Sequence, residues 1–174
     1  MDYYSDTPRK IFTLTFSLQA LLYDVSNNAY VEGQTIQTEA EKDRHMVIDI
    51  KEGQNSDIIT HVMDVAFTEC KELLYPYTKI PVTEEGLTDA NFVSDDFVMT
   101  LNVPETFSDT TKELLEKKIH DILVGRALAY WMKLNKNFDA AAYWTEYAES
   151  AKDSLLETMN LRRGRVRRPL TPFA

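Results

Sequence analysis

The chain has little of what small proteins use to hold themselves together or to do chemistry. It has one cysteine, Cys70, so no disulfide can form within it. A single thiol fits a reducing compartment, and a cytoplasmic home is the simplest expectation. Glycine and proline are scarce, at 5 and 6 residues, which argues against disorder over most of the length. No run approaches about 18 uninterrupted apolar residues, so no membrane span is expected. The opening MDYYSDTPRK is polar, and a signal peptide is not expected from it. The three histidines, His45, His61 and His120, are scattered, and no cysteine pair exists. A zinc or iron site is therefore not expected. Walker, dinucleotide-fingerprint and nucleophile-elbow patterns are missing as well. The expectation is a protein that is not an enzyme and holds no cofactor.

Basic residues are also few, 19 against 28 acidic ones for a net charge of −9, and they are unevenly spread. Five arginines, Arg162, Arg163, Arg165, Arg167 and Arg168, crowd into LRRGRVRRPLTPFA. Without them 14 basic residues face 28 acidic ones, a net of −14. Such a body disfavours nucleic acid or an anionic membrane as the partner of its general surface. It is compatible with the wall of a channel through which DNA slides. The basic segment admits three readings: an arm that docks on an acidic neighbour, a solvated end, or a nucleic-acid patch. Pro169 and Pro172 favour an extended arm, with Leu170 and Phe173 as apolar anchors.

Hydrophobic residues at 44% and charged residues at 27% suit an ordinary globular domain. IFTLTF, 11–16, alternates like a strand. A helix is expected over about 17–31, a polar loop over 32–44, and a strand at HMVIDI, 45–50. Asn55 or Ser56 is placed to cap a helix over 57–74. Ile59, Met63, Ala66, Cys70 and Leu73 form its apolar stripe. Residues 76–95 read as a loop lying against something apolar through Tyr77, Ile80 and Phe92. DFVMTLNV, 96–103, puts Phe97, Met99, Leu101 and Val103 on one face of a strand.

Thr110 and Glu113 match a capping box at the head of a helix over 109–134. Leu115, Ile119, Ile122, Leu123, Ala127, Tyr130, Trp131 and Leu134 would face inward. A turn at 135–137 leads to a second helix over 138–160, with Ala141, Trp144, Ala148, Ala151, Leu155 and Met159 buried. So short a link makes an antiparallel hairpin, with alanines opposite Tyr130 and Trp131. The expected fold is mainly α with a small β element (α+β), as one domain over 1–160, followed by an extended arm over 161–174.

Several residues carry two readings. Cys70 is a buried, inert thiol or a nucleophile. Glu84-Glu85 and Asp95-Asp96 are solvated charge, or carboxylate pairs for acid–base work or calcium. Arg126 either runs its stem along the core to reach water, or pairs with Glu146 or Glu149. Trp131, Tyr143, Trp144 and Tyr147 are core packing or a patch for a partner.

The stretch ILVGRALAYWMKLNKNFDAAAYWTEYAESAKDSLLETMNLRRGRVRR, within 115–168, resembles the small head-to-tail connector (adaptor or neck) proteins of tailed bacteriophages and prophages. The likeness lies in an Arg-Ala-Leu-Ala-x-Trp helix, a short turn, a Tyr/Trp/Ala-rich helix and an Arg-rich exit. It implies a virion structural protein made in the host bacterial cytoplasm. Such a protein forms a homo-oligomeric ring between portal and tail proteins, and DNA passes through without specific binding. It further implies that Arg162, Arg163, Arg165, Arg167, Arg168, Leu170 and Phe173 dock on a neighbouring subunit or the portal. Truncation after Met159 would then abolish assembly. The alternative is a cytoplasmic nucleic-acid-binding protein that uses the same tail.

Overall fold

The computed structural model describes residues 8–35, 41–75, 77–79, 96–105 and 107–161. The chain is mainly helical with a two-stranded antiparallel sheet. Strand β1 (Arg9–Phe16) pairs with β2 (Phe97–Pro104), in a register that sets Arg9 opposite Pro104 and Phe16 opposite Phe97. Both strands alternate as their sequences require. Leu14 and Phe16 on β1, and Phe97, Met99, Leu101 and Val103 on β2, turn one face of the sheet into the core. Ile11 and Val98 stand on the opposite face in solvent.

Among the described residues there are five α-helices, α1 (Leu18–Thr35), α2 (Glu41–Ile48), α3 (Gln54–Leu73), α4 (Asp109–Leu134) and α5 (Phe138–Leu161), of which α3 and α4 pack against the strands. Helix α4 is central and packs against α1, α3, α5 and β1. From Ile122 to Met132 only Arg126 and Tyr130 escape full burial, because neighbours surround this part of the helix. Tyr130 and Leu134, expected inside, are exposed. Helix α5 folds back along α4 after a turn in which Lys136 takes a positive φ of 59°. Its stripe of Ala141, Trp144, Ala148, Ala151, Leu155 and Met159 is buried as expected. Helices α4 and α5 approach closely at Gly125. A Cβ there would lie 3.1 Å from both Ala148 Cβ and Tyr147 Cδ1.

The largest correction is at 32–51. Helix α1 runs on to Thr35, and HMVIDI is no strand. Residues 41–48 form α2, followed by a 3-10 turn at Asp49–Lys51. A six-residue apolar run fits a strand or a buried helical turn equally well, and here packing decides. Val47 and Ile50, three apart, are buried, whereas a strand would have sent them to opposite faces. Gly33 admits α2 against α1: a Cβ there would meet Ile48 Cγ1 at 2.7 Å. Trp131 Nε1 donates to the Val47 carbonyl at 2.8 Å and ties this segment to α4.

Two helix starts also differ from expectation. Gly53, with φ of 51°, precedes α3, and Asn55 sends its side-chain amide back to the Asp49 carbonyl at 3.0 Å instead of capping. Helix α4 begins after Ser108, so Thr110 is already helical and cannot act as a capping-box residue. The entry is set earlier, by Phe107. Its ring stacks on Phe12 at 5.6 Å, and its carbonyl accepts from Lys10 Nζ at 2.6 Å.

On α3, Ile59, Met63, Ala66 and Cys70 are buried, but Leu73 is only half-buried, and Leu74 takes the inner position. Phe67 completes this face. Its ring meets Phe16 at 5.8 Å and Phe97 at 5.2 Å, so one side chain joins α3 to both strands.

Candidate partner-binding surface

The basic segment and its anchors, Arg162, Arg163, Arg165, Arg167, Arg168, Leu170 and Phe173, lie outside the described residues. So do Ile80, Glu84, Glu85, Phe92 and Asp95. Asp96 is described and has a structural task. Its carboxylate accepts from the Leu18 amide at 3.0 Å, capping α1 from the foot of β2. Tyr77 packs against the core, and its carbonyl accepts from the Asn102 amide at 2.9 Å.

The histidines are dispersed. His120 on α4 pairs with Asp24 on α1 at 2.8 Å, His45 is exposed, and His61 sits on the outer side of α3. Among the described residues no group of three or more His, Cys, Asp or Glu is placed to hold a metal ion. Cys70 is fully buried, and burial, with Glu69 adding to it, pushes its thiol up to about 12 from 9.0. The thiolate is the reactive form, so native Cys70 should resist an alkylating reagent at pH 8 and react fully in denaturant. Rapid labelling of the folded protein would contradict this burial. The raised pKa also sets a sign. Between pH 9 and about 12 the unfolded chain releases a proton that the folded chain keeps, so this group's stabilisation is lost as pH rises.

Beside Cys70, Arg126 links three helices. Its guanidinium reaches Glu69 on α3 at 3.2 Å and Glu149 on α5 at 2.9 Å. Of the two partners weighed from sequence, Glu149 is the one observed. Glu69 was not foreseen, because the α3–α4 crossing cannot be read from either helix alone. The aromatic group divides in two. Trp131 points at α2. Trp144 donates to Glu32 on α1 at 3.0 Å and meets Tyr143 and Tyr147 edge-on at 5.2 and 5.4 Å. Partial burial, then the Asp121 carboxylate, raises the Tyr147 hydroxyl above its ordinary value.

Arg126 also lines a trough of about 680 Å3 formed by α3 and α4, to which Thr145 of α5 contributes. Its apolar walls are Ile58, Val62 and Val65 from α3 and Tyr130 from α4. Ile58, Val65 and Tyr130 are 40%, 48% and 40% exposed. The trough is thus shallow and open. A small ligand needs a cleft that buries most of its surface, and an extended peptide segment suits this shape better. Sequence reasoning missed the trough, although its signal was present. Ile58, Val62 and Val65 recur at i, i+4 and i+7 beside the buried stripe, so α3 is apolar over more than one face. Comparison of the chain with known protein families, with curated proteins and with solved structures finds no match.

Proposed function

We propose that this chain is a non-catalytic assembly protein, a head-to-tail connector of a tailed phage or prophage. In this reading copies join into a ring between portal and tail, and the C-terminal segment docks on a neighbouring subunit or the portal. The observation that carries the reading is the charge division. Five arginines lie within residues 162–168, and the remaining chain bears a net of −14. The field of opposite sign open to that segment is its own body, the body of another copy or a similarly acidic neighbour, and a ring lets it reach the second or third. Arginine forms charge-assisted, often bidentate, contacts with carboxylates, and a ring repeats each contact so that weak ones add by avidity. The antiparallel helical hairpin of α4 and α5 serves as the rigid frame, and the basic arm leaves from the end of α5. An acidic lumen repels phosphate and lets DNA pass.

The test is the solution mass by light scattering at low and high salt. It compares the full chain, a chain ending at Leu161, and a full chain with all five arginines changed to glutamine. A closed oligomer formed by the full chain, lost in both variants and weakened by salt, is the expected result. A full chain that stays monomeric, alone and with a portal protein, would sink the proposal. Salt-sensitive binding of short DNA or RNA by that monomer would instead favour the nucleic-acid reading.

A further inference from the structure

We propose that the α3–α4 trough is the socket for residues 167–173 of a neighbouring copy, an inference that rests on the assembly reading above. The outer stripe of α3 runs Ile58, Val62, Val65, Glu69, Glu72, at helical steps of four, three, four and three residues. It is apolar in its first half and acidic in its second. The arm has the complementary order, with Arg167 and Arg168 followed by Leu170 and Phe173.

The spacings agree. At about 1.5 Å per helical residue, Val65 stands about 10 Å from Ile58, about 6 Å from Glu69 and about 10 Å from Glu72. At about 3.1 Å per residue in the polyproline II conformation that Pro169 and Pro172 favour, Leu170 stands about 9 Å from both Phe173 and Arg167, and the three-residue turn sets these three side chains on one face. An arm laid antiparallel to α3, with Leu170 at Val65, therefore brings Phe173 to Ile58 beside Tyr130. It brings Arg167 to Glu72 and leaves Glu69 with Arg126. Pro169 and Pro172 favour an extended arm and carry no backbone donors that the trough would have to satisfy. Arg126 does not repel the arm strongly, because Glu69 and Glu149 already neutralise it.

The experiment measures the association constant of the full-length chain by sedimentation, for wild type, Val65→Asp, Phe173→Asp and the pair combined. It adds Glu72→Arg, Arg167→Glu and that pair combined. Val65 and Glu72 are exposed, so their replacement leaves the core intact, which circular dichroism checks. Val65→Asp and Phe173→Asp should each weaken association about tenfold or more, and the two together should weaken it little further, because they break one contact. Glu72→Arg should weaken association, and Arg167→Glu should restore it. In a mixture of isotopically light and heavy chains, a photoreactive phenylalanine analogue at 173 should crosslink to the trough between chains. If Phe173→Asp disrupts assembly and Val65→Asp does not, the arm docks elsewhere; the socket falls and the assembly reading stands. Crosslinks confined to single chains would overturn the socket as an intermolecular site. A wild-type chain monomeric at every concentration, alone and with a portal protein, would remove the assembly reading itself, and the socket with it.

Discussion

Phe67→Ala is expected to destabilise the fold by about 3–5 kcal/mol, a fall in melting temperature of roughly 10 °C for a chain of this size. Phe67 is 2% exposed and contacts Phe16 on β1 and Phe97 on β2. Removing its ring takes away apolar area and the two edge and tilted aromatic contacts at once. The strands cannot close the gap, because their register is fixed by pairing along all eight residues of each. Lys71, whose ammonium lies 4.6 Å from the same ring, loses its cation–π partner too. Thermal unfolding followed by circular dichroism reads the effect. Val65→Ala, two residues away and exposed, is the control and should stay within about 0.5 kcal/mol of wild type. A loss below about 1 kcal/mol for Phe67→Ala would mean that the sheet does not depend on α3.

Trp131→Ala should cost a similar amount, about 3–5 kcal/mol, with its damage concentrated on α2. The indole is 5% exposed, and its Nε1 is the donor to the Val47 carbonyl. Trp131→Phe separates the two contributions. It keeps most of the ring, drops the donor and leaves a buried carbonyl unpaired, for about 1–3 kcal/mol. In both variants the amides of residues 44–51 should exchange with solvent faster than those of α5. Uniform acceleration over the whole chain would instead show that the bond holds no local unit. Trp144 is an internal comparison. Its Nε1 bonds the partly exposed Glu32 carboxylate, which water can replace, so Trp144→Phe should cost less.

The elements legible in the sequence were those whose burial follows from their own periodicity. The bounds of α4 and the alternation of Phe97, Met99, Leu101 and Val103 were readable because each pattern extends over several repeats. The same holds for the alanine-rich inner face of α5. HMVIDI was misread because six residues do not distinguish two periods, and its conformation is settled by Gly33 and Trp131, both distant in sequence. The capping box failed for a related reason. Ser108, Asp109, Thr110 and Thr111 all offer capping chemistry, and Phe107 packing on Phe12 chose among them.

The sequence by itself determined the charge division, the mainly helical class and most of the inner faces of the long elements, Tyr130, Leu134 and Leu73 being the exceptions. These are properties of composition and of local spacing, which a single chain carries without reference to its neighbours. Tertiary structure alone decided that Asp96 caps α1, that Arg126 joins Glu69 to Glu149, and that Gly33 and Gly125 mark close helix approaches. It also decided that the second apolar stripe of α3 is left open beside Tyr130. Each depends on which helix crosses which, and at what height. That choice comes from side-chain volumes meeting across the core, and periodicity within one segment does not encode it.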